Sequence, residues 1–169
     1  MKIFPYDRFQ LISSYSKHDA IEHLQRNTAP TQLFRFSKPN EAYTGSVYEN
    51  GFKISPTIEY RNSFKPVIVG NFLSHHSGVK ISVTQRLHLV VIIFLITWIV
   101  GVVGIGGLIS LVPMDSLSDG PPENQFFRIV PLGMLLFVWM LTTGGFWWEA
   151  RHTKEALMKF LDATEDQSL

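Results

Sequence analysis

The chain has 169 residues, 46% of them apolar and only 17% charged, against roughly 25% charged in an average soluble domain. Its 15 basic and 14 acidic residues leave a net charge of +1, without the basic excess of a nucleic-acid binder. Cysteine is absent, which excludes disulfides, thiolate nucleophiles and thiolate zinc sites.

Near the start, Phe9, Leu11 and Ser13 alternate with Gln10, Ile12 and Ser14, the period of a half-buried strand. Ser16, three residues ahead of Asp19, offers a helix cap, and Ala20, Ile21 and Leu24 form an apolar stripe behind it. The spacing predicts a helix over Lys17–Asn27, ended by Thr28-Ala-Pro30. From Leu33 the period returns to two. Asn50-Gly51 stands between alternating segments and predicts a type I′ hairpin, which needs positive φ at both central residues. Phe64 to Phe72 reads as a further strand, with Pro66 marking an edge strand or a strand start. His75-His-Ser-Gly78 reads as a turn, and Val79, Ile81 and Val83 then alternate with Lys80, Ser82 and Thr84. Residues 1–88 are thus expected to form a small antiparallel β module with one short helix.

The apolar surplus lies further on. Residues 89–112 carry no charge and, at about 1.5 Å per residue, reach about 36 Å, enough to cross a hydrocarbon core of about 30 Å. Residues 129–148 are also uncharged and long enough to span, with Pro131 in the expected first turn. The remaining residues are too few to wrap two such helices in a soluble core, so residues 89–148 read as a transmembrane hairpin with a connecting loop at 113–128. The N-terminus has no apolar stretch of signal-peptide type, and the first span lies far too deep to serve as one.

Basic residues set the orientation. Residues 1–88 hold 11 Lys and Arg, the loop holds only Arg128, and the tail holds Arg151, Lys154 and Lys159. That asymmetry places both termini in the cytoplasm and the loop outside. In residues 149–169, Ala150, Thr153, Leu157, Phe160, Leu161 and Thr164 share one helical face, which predicts an amphipathic helix packing back on the β module. The expected class is therefore an α+β membrane protein.

The stretch Tyr43-Thr-Gly45-Ser-Val47, then Phe52-Lys-Ile54, then Tyr60-Arg-Asn-Ser-Phe64-Lys-Pro66 and Gly70 resembles a family of uncharacterised small bacterial membrane proteins. That family reads Phe-x-Gly-x-Val, Phe-x-Ile, Tyr-Arg-Asn-Ser-Phe-x-Pro and a Gly, followed by a two-span hairpin and a short charged helix. The chain departs from it at Tyr43, where the family prefers Phe. The resemblance covers about residues 40–165. It implies a bacterial inner-membrane protein and brings no activity with it. The element order is also similar to a pleckstrin-homology-like (PH-like) module with a membrane hairpin inserted before the closing helix, an analogy of fold that carries no function.

Candidate chemistry is sparse. His18 and His23 are five apart, off the i,i+4 spacing of a helical metal pair, and His75-His76 sit in a turn, so no metal site is expected. His88 and His152 flank the two spans and are either interfacial polar residues or partners across the hairpin. No nucleophile elbow or phosphate loop occurs, and neither span holds an ionisable residue of the kind that marks ion pathways. The expectation is a protein that is not an enzyme and carries no cofactor. Gly101, Gly104 and Gly107 recur every three residues and let a helix approach closely, either span two of the same chain, with Phe137 and Trp139 filling the groove, or another subunit. Trp147 and Trp148 read as an aromatic belt. Arg61, Lys65, Lys80 and Arg86 lie on or near strands approaching the membrane, where they either touch anionic lipid headgroups or form an ordinary solvated face. The expected partners are membrane lipids and other membrane subunits or further copies of the chain, without nucleic acid. Two functions fit: a scaffold, assembly or regulatory subunit of a membrane complex, and an oligomerising effector that permeabilises the bilayer.

Overall fold

The computed structural model describes residues 4–31, 40–57, 64–76, 78–111 and 126–166. The elements are β1 (Tyr6–Ser13), α1 (Lys17–Arg26), β2 (Thr28–Pro30), β3 (Tyr43–Tyr48), β4 (Gly51–Pro56), β5 (Val67–His75), β6 (Gly78–Arg86), α2 (Leu89–Leu111), α3 (Phe126–Phe160) and β7 (Ala163–Glu165). They divide into two compact units, residues 1–88 with 145–169, and residues 89–144.

In the first unit seven strands form one mixed sheet in the order β2-β3-β4-β5-β6-β1-β7, antiparallel throughout except for the β2–β3 pair. Alternation decides which face is covered. On β6, Val79, Ile81, Val83 and Gln85 are buried, while Lys80, Ser82 and Thr84 are only partly so. Their partners on β1, among them Phe9 and Leu11, face the same way and meet Leu24 of α1 and Leu157 and Leu161 at the end of α3 in one core.

α1 begins where the cap predicts. Ser16 Oγ accepts from the Asp19 backbone N–H at 3.2 Å and donates to Asp19 Oδ2 at 2.6 Å. Thr28–Pro30 does more than end that helix: it is β2, parallel to β3. Pro30 is tolerated because β2 is an edge strand, where a missing N–H costs no ladder bond.

The hairpin after β3 is present, but its turn is one residue earlier than expected. Tyr48 pairs with Gly51, so Glu49-Asn50 is the turn. Asp162 is the one non-glycine residue with positive φ among the described residues, and Gly51 has none, so the turn is not type I′. Gly51 is needed for a different reason: a Cβ there would run into the carbonyl oxygen of Gly70 on β5. β5 begins at Val67, just after Pro66, and is a central strand between β4 and β6.

The expected second span and the amphipathic tail are one continuous helix, α3, of 35 residues and so about 52 Å long. Pro131 lies in its second turn rather than its first, so one internal backbone bond is missing. Ala150, Thr153, Leu157 and Leu161 are buried, as the helical face predicts, and Phe160 packs edge-on to Tyr43 at 5.5 Å between ring centroids. Thr164 instead belongs to β7, which pairs with β1 through Ile12. Asp162, at φ 45°, reverses the chain between α3 and β7, and Ser14 Oγ donates to its Oδ2 at 2.6 Å.

The second unit contains α2 and the first part of α3, both long and apolar enough to cross a membrane. Large apolar side chains point outward, with Val90 66%, Phe94 64%, Leu108 68% and Phe137 65% exposed. Shielding recurs instead at Val91, Leu95, Trp98, Val102 and Gly106, and on α3 at Pro131, Leu135, Val138 and Thr142. Spacings of three and four mark one seam on each helix. A Cβ on Gly106 would stand 3.2 Å from Pro131 Cβ. Residues 112–125, which include most of the expected loop, lie outside the described residues.

Candidate anion-binding cleft

The sheet face away from the core is polar, and register gathers its side chains. Thr44 pairs with Ser55 and Ser46 with Lys53 across the β3–β4 hairpin, and Lys53 pairs with Val69 on β5. These residues share the outer face because their neighbours Ile54 and Ile68 turn into the core. Thr44, Ser46, Lys53 and Ser55, together with Lys65, just ahead of β5, and His88, just after β6, line a cleft with a volume of about 400 Å³. That volume is at the lower end of the range for small-ligand sites. Its described lining holds two lysines, a histidine and several hydroxyls, and no carboxylate.

Gly45 lines the cleft where β3 and β4 approach closely. It adopts φ +154°, and a Cβ on it would collide with the carbonyl oxygen of Lys53. Two residues earlier, Tyr43 turns to the core side, where burial pushes its phenol from 10.0 up to about 12.

The four basic residues singled out in the sequence separate here. Lys65 lines the cleft. Arg86 is exposed at the end of β6, opposite Val67. Lys80 is near the other end of β6, six residues and so about 20 Å from Arg86, and its Nζ pairs with Asp166 Oδ2 at 2.8 Å. Arg61, with the rest of Tyr60-Arg-Asn-Ser63, lies outside the described residues. Lys53 and His88 complete the cleft and were not in the sequence-derived set. The available signal was the run of polar outward positions on both arms of the hairpin.

Among the described residues, the glycine of α2 that comes close to α3 is Gly106. Among the described residues nothing lies within 4 Å of a Cβ built on Gly101, Gly104 or Gly107, and the close approach is at Gly106. Phe137 and Trp139 are exposed rather than seated in a glycine groove. At 100° per residue Gly106 stands about 200° round the helix from Gly104, on a different face.

His75 and His76 meet ring to ring at 6.3 Å between centroids, while His23 and His152 lie elsewhere. The His23 ring packs 4.4 Å from Phe160, between centroids, and His152 Nδ1 bonds to the Trp148 carbonyl at 2.8 Å within its own helix. Among the described residues no group of three or more His, Asp or Glu converges as a metal site would require. On the core face, register sets Asp7 opposite Gln85, both buried, and among the described residues the Gln85 amide has no hydrogen-bond partner. Compared with family models, curated proteins and solved structures, the chain finds no match, so its reading rests on its own residues.

Proposed function

We propose that the chain is a two-span integral protein of a bacterial inner membrane, acting without enzymatic chemistry as a scaffold, assembly or regulatory subunit of a membrane complex. The observation that carries this reading is the outward wall of apolar side chains on α2 and the first part of α3. Leaving that much apolar surface in water is strongly unfavourable, and lipid or another apolar partner relieves it. The charge-free composition of residues 89–112 supports lipid as the surrounding phase. The basic-residue asymmetry supports cytoplasmic termini. A seven-stranded sheet closed by a C-terminal helix supports the PH-like analogy for the first unit, as a shape and not as an activity.

The experiment is membrane fractionation followed by purification in mild detergent. The account expects the protein to resist alkaline extraction and to leave the column with a stoichiometric companion. Recovery in the soluble fraction contradicts the membrane reading, and recovery without a companion contradicts the scaffold reading.

The open glycine stripe at Gly101, Gly104 and Gly107 favours a second reading, a membrane effector that self-associates through α2. Growth arrest on induction, together with a homo-oligomer in detergent, supports this reading over the first.

A further inference from the structure

We infer that the cleft between β3, β4 and the start of β5 binds a phosphate-bearing anion, and that in the membrane its source is the headgroup of an anionic glycerophospholipid. The inference rests on the two-span reading for its lipid source, and on the cleft alone for its phosphate chemistry.

Charge is the first reason. Lys53 and Lys65 converge, with His88 beside them, on one concavity whose described lining has no carboxylate. Three basic residues elsewhere in the first unit pair with acids: Lys80 with Asp166 at 2.8 Å, Lys154 with Glu165 at 2.5 Å and Arg26 with Glu22 at 2.6 Å. An ordinary solvated face mixes signs in that manner, and this cleft does not. An anion placed between the lysines gains charge-assisted hydrogen bonds from both.

Hydrogen bonding is the second. A phosphate presents several acceptor oxygens in a tetrahedral array and needs donors from more than one side. The hydroxyls of Ser46 and Ser55 supply neutral donors on the two hairpin arms, beside the lysine ammonium groups, while that of Thr44 donates to the Ser55 carbonyl at 3.4 Å. A carboxylate has fewer acceptor directions and leaves part of this set unused.

Chain connectivity is the third. His88 immediately precedes Leu89, the first residue of α2. If α2 crosses the bilayer, His88 is within one residue of the span, at the depth of lipid phosphates, where each basic group attracts anionic lipid.

The test uses the full-length chain in a neutral detergent, with Lys53→Gln/Lys65→Gln as the cleft variant and Lys159→Gln as a charge control on the exposed side of α3. Matching melting profiles first show that the variants fold. Native mass spectrometry then counts retained phosphatidylglycerol against diacylglycerol, which has the same tails and no phosphate. In parallel, calorimetry titrates inorganic phosphate. The expected result is retention of phosphatidylglycerol over diacylglycerol, weakened roughly tenfold or more in the cleft variant and unchanged in the control. Cleft-dependent binding of inorganic phosphate without lipid retention upholds the phosphate site and moves its source to solution. Binding of neither probe, or binding that the cleft variant leaves within about twofold of the parent, overturns the inference. If the protein fractionates as soluble, the phosphate titration is run without detergent, so failure of the membrane reading is distinguished from failure of the site. If the double variant does not fold, Lys53→Arg and Lys65→Arg, which keep the charge, must retain the probe that Lys53→Gln alone loses, and equal binding by all three overturns the inference.

Discussion

Gly106 of α2 and Pro131 of α3 meet so closely that a Cβ on the glycine would stand 3.2 Å from Pro131 Cβ. Among the described residues, nothing stands within 4 Å of a Cβ built on any of the three glycines of the repeating stripe on α2. Gly106→Leu is therefore expected to lower the melting point of the detergent-solubilised protein, by about 1–3 kcal/mol of overpacking. Gly104→Leu/Gly107→Leu is expected to leave it unchanged. Size-exclusion chromatography of the double variant then reports whether the stripe holds a second copy. A loss of stability in the double variant equal to that of Gly106→Leu contradicts the assignment of the seam.

Tyr43 gives a pH dependence with a definite sign. Its phenol is pushed from 10.0 up to about 12 because burial disfavours the phenolate. The folded state thus holds the proton more tightly than the unfolded state. The associated stability is complete below the unfolded value and is lost as pH rises through the folded one. The full displacement is worth about 3 kcal/mol. Denaturant midpoints measured between about pH 9 and 12 should fall less steeply in Tyr43→Phe than in the parent. Parallel slopes contradict the burial argument.

Gln85 is fully buried, and among the described residues neither amide atom has a hydrogen-bond partner. Leaving such a group unsatisfied costs about 1–3 kcal/mol. Gln85→Met keeps the length of the side chain and removes the unsatisfied amide, so it should raise the melting point. A lowered melting point shows that the amide has a partner in solution.

Gly51→Val should destabilise the sheet, because its side chain collides with the carbonyl of Gly70. Asn50→Ala separates this cause from turn chemistry. It removes the Asn50 Oδ1 acceptor of the Lys17 ammonium, an exposed bond of 3.2 Å, and should cost far less in a thermal melt. Equal losses in the two variants contradict the steric explanation.

Elements whose signal is local were legible in the sequence. The alternation of Val79, Ile81 and Val83 gives β6, the Ser16–Asp19 cap gives the start of α1, and the charge-free run from Leu89 gives α2. β2 and β7 were missed because each is three residues long, too short for a period to register, and each is held by a partner far away in the chain. The turn at Glu49-Asn50 was displaced because the demand for glycine at position 51 comes from β5, not from the turn. Lys65 was read as a candidate site residue, but Lys53, Ser46 and Thr44 reach the same cleft only through cross-strand register, which no single segment encodes. The seam on α2 was in principle legible. Gly106 is the glycine that shares a face with Val102 at i,i+4, a spacing that outranks the visually stronger repeat at Gly101, Gly104 and Gly107.

The central claim is that α2 and α3 cross a bilayer as a hairpin with the sheet on the cytoplasmic side. The chain contains no cysteine, so single thiols report without background. Ser118→Cys lies in the segment between the two helices, and Glu155→Cys lies at an exposed position of α3 in the first unit. Both are treated with a membrane-impermeant thiol reagent on spheroplasts, before and after lysis. The account predicts that Ser118→Cys labels on intact spheroplasts and Glu155→Cys labels only after lysis. Equal labelling of the two before lysis, or the reverse pattern, contradicts it.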